Sequence, residues 1–302
     1  MKVKLFTHTD LDGIGCGIVS KIAYGENVDI TYCDYHNVNE IIGEYISSRE
    51  YLDYDLTLIT DISVDEIKAD LLNYVYKQGN KVQLLDHHPT AEWLNKYEWA
   101  EVQSFHTKNT KSSGTSMVYL YLLDKLNEFT LGEFVEKVRR YDTWEWQTKY
   151  NDEHAKQLND LLWLIGRDAF FERFVNDPSI EFEQHEKLLL QIEQEKIDRY
   201  IESKDKKMFT NSIQGYPVGV VFAEQYHSQL GNVLATNHPE LDFIIIINID
   251  SDKVSYRGVK DEINLGEIAK IYGGGGHPKA SGSQFDEKLK KKLIDEIFTL
   301  KP

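Results

Sequence analysis

The chain has 302 residues, 41% of them hydrophobic, which excludes a disordered chain and leaves room for two domains. Its formal charge of −16, from 50 Asp and Glu against 34 Lys and Arg, argues against a protein that coats long nucleic acid through bulk electrostatics. A nuclease with a carboxylate-rich metal site remains compatible, because bound cations offset that charge.

In chain order, a β-type run at 3–7 precedes a helical pattern over 13–24. A second strand is expected at 29–33 and a helix at 38–47, then a strand at 56–60 and a helix at 64–77. A fourth strand at 82–85 leads to a short helix near 91–96 and a fifth strand at 100–105. This alternation predicts an α/β fold with a parallel sheet covered by helices on both faces, whose ligands bind at the carboxyl ends of the strands. A polar loop over 106–111 is followed by Ser112-Ser113-Gly114-Thr115, which opens a helix to about residue 126. Another helix, 131–141, leads to Asp142, and 152–204 reads as wholly helical with a charged, heptad-like later part over 182–202. Beyond a boundary at 204–207, mixed character resumes with strands at 218–222, 243–248 and 253–257 and helices at 226–236, 265–272 and 287–298.

The opening MKVKLFTHTD carries no apolar core or cleavage signal, and the longest apolar stretch, 243–247, falls far short of the roughly 20 residues of a membrane span. Cys16 and Cys33 form no CxxC motif. A cytoplasmic protein without membrane partners is expected.

Chemistry-bearing residues gather at the predicted strand ends. His8, Asp10 and Asp12 follow the first strand, and alternate spacing in an extended segment sends all three to one side. They read either as metal ligands or as a polar loop whose Asp12 caps the next helix. Asp61 follows the third strand and has the same two readings. Asp86-His87-His88 follows the fourth, where packing gives no reason for adjacent histidines. Three strand ends delivering Asp or His to one sheet edge favour metal binding. The ligand set is rich in carboxylate, includes imidazole and lacks thiolate, which suits Mn²⁺ or a related octahedral cation. So many carboxylates suit two ions sharing a bridging Asp, about 3.5–4 Å apart as in sites of phosphoryl transfer. A fourth feature, Gly273-Gly274-Gly275-Gly276-His277-Pro278-Lys279-Ala280-Ser281-Gly282, reads as an anion-binding loop whose glycine N–H groups and His277 meet phosphate, or else as a flexible loop.

Taken together, these motifs resemble the DHH/DHHA1 phosphoesterase family over most of the chain: HTDLDG at 8–13, Asp61, DHH at 86–88, Asp142 in Arg140-Tyr141-Asp142-Thr143, and GGGGHPKASG at 273–282. The resemblance implies a catalytic metal-binding domain over 1–150, a helical connector over 151–207 and a smaller α/β substrate-binding domain over 208–302. It implies two Mn²⁺ ions, with Mg²⁺ or Co²⁺ as substitutes. His8, Asp10 and Asp61 would hold one ion. Asp12, Asp61, His87 and Asp142 would hold the other, with Asp61 bridging. His88 would face the phosphate or leaving group and act as acid, while His277 and Arg257 would bind the substrate phosphate with Gly274, Gly275 and Gly276. Ser113 and Gly114 resemble a small-residue helix start beside the active site.

The first motif, beginning with His, is closer to the short oligonucleotide-degrading members than to the long exonucleases. The expected substrates are therefore short single-stranded RNA or DNA, or a linear dinucleotide, cut to mononucleotides. A phosphatase of small bisphosphorylated nucleotides such as phosphoadenosine phosphate is the rival enzyme, and a non-catalytic nucleotide-binding protein the rival outside catalysis. Tyr256, Tyr272, Trp144 and Trp146 are candidates to stack a base or to pack a core. The charged helix over 182–202 offers a hinge, a homodimer surface, or both.

Overall fold

The computed structural model describes residues 1–126 and 129–299. It divides into two compact units, Met1–Leu190 and Gln191–Pro302. The first unit is built from β1 (Val3–Thr7), α1 (Leu11–Tyr24), β2 (Val28–Tyr32), α2 (Val38–Ser47), β3 (Leu56–Thr60), α3 (Glu66–Lys77), β4 (Val82–Asp86) and β5 (Ala100–Val102). A small hairpin of β6 (Phe105–Thr107) and β7 (Thr110–Lys111) follows, then α4 (Gly114–Tyr121), α5 (Phe129–Asp142), α6 (Glu153–Ile165), α7 (Arg167–Asn176) and the first part of α8 (Gln184–Asp205).

The five long-sheet strands are all parallel, in the order β2-β1-β3-β4-β5. Neighbouring side chains on each strand face opposite layers, as the two-residue strand period requires. Leu5, Leu58 and Leu85 enter a core with α1, α4, α5, α6 and α7. Phe6, Ile59 and Leu84 enter a second core with α2 and α3. Because both faces are covered, β1 and β3 are buried at every position. The chain leaves β1 for β2 on one side and returns to β3 on the other. The crevice between the ends of β1 and β3 is therefore the topological switch point, where open α/β sheets bind ligands.

The second unit begins within α8 and contains β8 (Phe209–Ile213), β9 (Tyr216–Phe222), α9 (His227–Asn237), β10 (Phe243–Asn248), β11 (Lys253–Arg257), α10 (Leu265–Ile271), β12 (Gly275–Gly276), β13 (Ala280–Gln284) and α11 (Lys288–Phe298). Its six strands run in the order β12-β13-β11-β10-β9-β8, with β9 and β10 parallel and the other pairs antiparallel. One sheet face packs on α9 and the end of α8 through Ile197, Leu230 and Ile246; the other packs on α10 through Val220, Ile245 and Ile268. Among the described residues, no helix is long and apolar enough to cross a membrane.

Several elements differ from their sequence-based expectation for local reasons. The predicted polar loop at 106–111 holds most of the β6–β7 hairpin. The glycine-rich motif supplies β12 and most of β13, whose Gly, Ala and Ser residues carry little strand propensity; β13 pairs on β11, and β12 on β13. β8 was not expected from the polar sequence Phe-Thr-Asn-Ser-Ile; it is an exposed edge strand with no buried face to impose an apolar pattern.

Candidate metal centre

β1 ends at Thr7, and His8 leaves the sheet at once. α1 then starts at Leu11 with Asp10 as its N-cap, the Asp10 side chain accepting from Gly13 N at 3.1 Å. The expected geometry for Asp12 is thus corrected. It neither caps the helix nor lies in an extended segment; it sits in the first helical turn, almost fully buried. Its two oxygens are held from across the fold, where Gly114 N donates at 2.5 Å and Thr115 N at 2.9 Å. These are the first N–H groups of α4, so a helix N-terminus fixes this carboxylate. Thr115 Oγ1 adds a bond to Asp12 O at 2.6 Å.

Asp61 does not cap α3 either, since Asp65 takes that role. Asp61 is buried at the end of β3 with φ +56, a conformation uncommon outside glycine but tolerated by Asp. Its backbone N–H donates to Leu85 O at 3.0 Å, which clamps the turn beside β4. Gly114 makes room for it: a Cβ there would stand 2.5 Å from Asp61 Cβ and 3.1 Å from Asp12 Oδ2. Ser113 caps α4 in a reciprocal bond with Ser116, so the pair Ser113-Gly114 starts that helix while leaving space for both carboxylates.

His87 and Asp142 complete the group. His87 Nε2 lies 3.2 Å from Asp61 Oδ1, 3.5 Å from Asp142 Oδ2 and 3.7 Å from Asp12 Oδ2. His8 Nδ1 lies 2.9 Å from Asp10 Oδ2 and 3.9 Å from Asp61 Oδ2. Asp142 is the last residue of α5, a helix end whose dipole disfavours a carboxylate. The turn after it is tied down by buried Arg139, which donates to Glu145 Oε2 at 2.5 Å and to Lys111 O at 3.1 Å.

Three overlapping donor groups result: His8, Asp10 and Asp61; Asp12, His87 and Asp142; and Asp61, Asp86, His87 and His88. In the last, Asp86 is already engaged by both histidines, which leaves the first two as the pair of metal positions, with Asp61 close to both. His8 Nδ1, Asp61 Oδ2, His87 Nε2 and Asp142 Oδ2 are buried without a hydrogen-bond partner, the short His8–Asp10 approach being misaligned for one. Burial, with repulsion from Asp12 and Asp10, pushes the Asp61 and Asp142 carboxyls well above the usual carboxylate range. Burial lowers the His87 pKa. Orphaned donors, crowded carboxylates and a neutral imidazole are what divalent cations require of a site, and these residues fit them.

His88 stands beside the group. Asp86, fully buried, directs one oxygen to His87 N (2.8 Å), His88 N (3.3 Å) and His88 Nδ1 (2.7 Å). Burial works against the charged His88 ring, but the Asp86 bond and the nearby carboxylates raise its pKa on balance. Sequence reasoning gave Asp86 no role although it heads the motif. It also missed Thr115, whose signal is its place directly after Ser-Ser-Gly, and Tyr35, which follows β2 and touches both His8 and His88.

The remaining candidates, apart from Trp144 and Trp146, belong to the second unit. Arg257 ends β11, donates to Tyr256 O at 2.9 Å, and among the described residues has no carboxylate within ion-pair distance; burial lowers its pKa. His277 is exposed in the turn between β12 and β13, bonded through its backbone to Ala280 in both directions. Gly274 and Gly276 have packing reasons of their own. A side chain at Gly274 would run into Gly282 O, and Gly276, at φ +138, would place one 2.7 Å from Ser281 Cα. Gly275 has open space where its Cβ would be. Of the aromatic candidates, Tyr256 and Trp146 are buried, whereas Tyr272 and Trp144 are exposed.

A family model described as the DHHA1 domain matches residues 212–300. The chain is 40% identical to oligoribonuclease NrnB of Bacillus subtilis, an alignment spanning 99% of this chain and 76% of that protein. Among solved structures it is similar to the pGpG-specific phosphodiesterase PggH of Vibrio cholerae (TM-score 0.55, 15% identity, 98% of this chain and 99% of that one). It is also similar to RecJ of Thermus thermophilus in complex with Mn²⁺ (TM-score 0.53, 13% identity, 98% of this chain and 51% of that one).

Proposed function

The chain belongs to the DHH/DHHA1 phosphoesterase family and is a metal-dependent phosphoesterase of the nanoRNase type; from that premise we propose that it uses Mn²⁺ to hydrolyse short single-stranded RNA, or linear dinucleotides, to mononucleotides. The observation that carries this reading is the pair of donor groups with Asp61 close to both, in which four buried ligand atoms, on His8, Asp61, His87 and Asp142, have no hydrogen-bond partner within the protein. In this assignment His8, Asp10 and Asp61 would hold one ion, and Asp12, Asp61, His87 and Asp142 would hold the other. Bound cations would supply an acidified attacking water and a counter-charge for the phosphoryl oxygens. Asp12, whose oxygens are fixed by α4, and Asp61, whose backbone is clamped to β4, are set in position before any ligand arrives, which is the preorganisation that lowers a barrier. His88 has Nδ1 tied to Asp86 and Nε2 3.4 Å from the Tyr35 hydroxyl, and it is Nε2 that we assign to give a proton to the leaving oxygen.

We assign catalysis to residues 1–150 and the grip on substrate to 208–302, with 151–207 as connector. Arg257, part-buried and without an acidic partner among the described residues, suits a phosphate, and exposed His277 with Gly274, Gly275 and Gly276 is assigned to the same ligand. The name of the Bacillus relative supports a short RNA substrate.

The test is a time course with Mn²⁺, then Mg²⁺ and Co²⁺, on labelled RNA of two, five and twenty-four nucleotides, beside phosphoadenosine phosphate. Fastest loss of the shortest RNA to mononucleotides is expected. Turnover of the bisphosphate alone would make the protein a phosphatase using the same residues. No turnover of any of them, with tight binding retained, would make it a nucleotide-binding protein.

A further inference from the structure

The residues flanking the metal centre hold one large side chain that neither packing nor metal ligation accounts for. Tyr35 lies in the loop between β2 and α2, is 57% exposed, and belongs to neither core of its unit. An exposed aromatic is ordinarily free to move, but this one is held. Asp34 and Asn37 bond reciprocally across the loop, with Asn37 Oδ1 accepting from Asp34 N at 2.9 Å. Asp34 Oδ1 accepts from His36 N at 2.7 Å and from Asn37 N at 3.2 Å. The Tyr35 ring lies against the His8 ring, centroids 4.8 Å apart and tilted 48°, and its hydroxyl is 3.4 Å from His88 Nε2. The side chain thus reaches from the end of β1, where one donor group begins, to the histidine beside the other.

We propose that Tyr35 is a substrate-binding residue that stacks a nucleobase adjoining the scissile phosphate. This inference rests on the nuclease reading above. The chemistry is direct. A ring fixed beside a phosphate-processing centre, with much of its surface left to solvent, offers a π-face at a distance from the metal cluster set by the His8 and His88 contacts. Stacking on a tyrosine tolerates every base, so the residue confers preference for nucleotides over baseless phosphodiesters without selecting sequence. Of the four aromatics considered from the sequence, Tyr256 and Trp146 are excluded from this role by burial, Tyr272 stacks on Tyr256 in the second unit, and Trp144, though exposed, packs edge-on against Trp146 and not on the His8 or His88 ring.

The experiment compares a dinucleotide with the same compound carrying an abasic ribose at one or the other nucleoside, in wild type, Tyr35→Phe, Tyr35→Leu and Tyr35→Ala. Kinetics are read as KM and kcat separately, and binding of a non-hydrolysable dinucleotide is measured by calorimetry. Wild type is expected to lose affinity of about ten-fold when one particular base is removed. Tyr35→Leu and Tyr35→Ala lose the same amount on the intact dinucleotide and no further amount on the abasic one, with the change in KM and in the calorimetric constant. Tyr35→Phe, which keeps the ring, keeps the preference. If the leucine and alanine variants retain the wild-type preference for the base, the proposal is overturned. If they lose kcat alone, with binding unchanged, Tyr35 serves His88 instead and the stacking role is overturned. Should wild type cleave no dinucleotide, the nuclease reading fails, and calorimetry still decides whether Tyr35 binds the base.

Discussion

Gly114 and Asp61 share one space: the position a Cβ of residue 114 would take lies 2.5 Å from Asp61 Cβ and 3.1 Å from the backbone Cα of the same residue. Neither atom is the end of a flexible side chain, so a methyl group must push Asp61 or the start of α4 aside. Gly114→Ala is therefore expected to weaken metal binding and activity by about 10- to 100-fold, the range seen when atoms supporting a metal ligand are disturbed. Titration with Mn²⁺ followed by calorimetry checks this, and unchanged affinity would show that the turn at Asp61 relaxes freely.

Asp61→Asn separates function from stability. Asn tolerates the positive φ at this position as Asp does, so the turn survives. Turnover should be lost, because an amide cannot hold two cations together. The metal-free variant should nonetheless be more stable than metal-free wild type by about 1–2 kcal/mol, since a buried, repelled carboxylate has been replaced by a neutral group. Denaturant unfolding in EDTA measures it; a less stable variant would mean that the carboxylate is satisfied without metal.

The same carboxylates set a pH dependence for the metal-free protein. Asp61 and Asp142 hold their protons to a pH well above the value near 3.9 that an unfolded Asp shows. Between those two values the folded state binds more protons than the unfolded one, so stability falls as pH rises. The raised His88 adds to this slope, and His87, lowered by burial, opposes it. Melting temperatures in EDTA should decline as pH rises above about 4, and saturating Mn²⁺ should remove the decline because metal competes with those protons. The decline should be shallower in Asp61→Asn, which identifies its source.

Asp86→Asn tests the support of His88. One Asp86 oxygen serves His87 N, His88 N and His88 Nδ1. The amide keeps the shape but removes the charge that favours a protonated ring. Loss of kcat by about 10- to 100-fold is expected, with KM and Mn²⁺ affinity close to wild type. A loss of metal affinity as large as the loss of kcat would place Asp86 in support of His87 instead.

Much of the first sheet was legible because its strands are buried on both faces and its loops are short. Runs such as Leu56–Thr60 stand out between helical patterns, and Asp or His directly after each run points to the strand ends. The reasons for convergence were less legible. Spacing suggested an extended segment at His8 to Asp12, whereas Asp10 caps α1 and turns Asp12 into the helix, because a local side-chain bond to Gly13 N outcompetes extension. Tyr35 was invisible because its significance depends on β2 lying beside β1, a sheet order that residue patterns do not encode. β12 and β13 were missed because pairing, and not propensity, makes them strands: Ala280 to Gln284 pair with β11, and Gly275 and Gly276 with β13.

The bonds from Gly114 and Thr115 to Asp12 join residues 102 and 103 positions apart. Every strand of the parallel sheet after β1 lies between them in the chain, so closing this contact means first closing a loop that contains most of the sheet. Long-range closures of this kind come late and slow a folding reaction. The cluster His8, Asp10 and Asp61 needs only β1 and β3 side by side, whereas Asp12 stays unanchored until α4 docks. The two halves of the cluster therefore rest on contacts of very different reach along the chain, neighbouring strands for one and a closure spanning about a third of the sequence for the other.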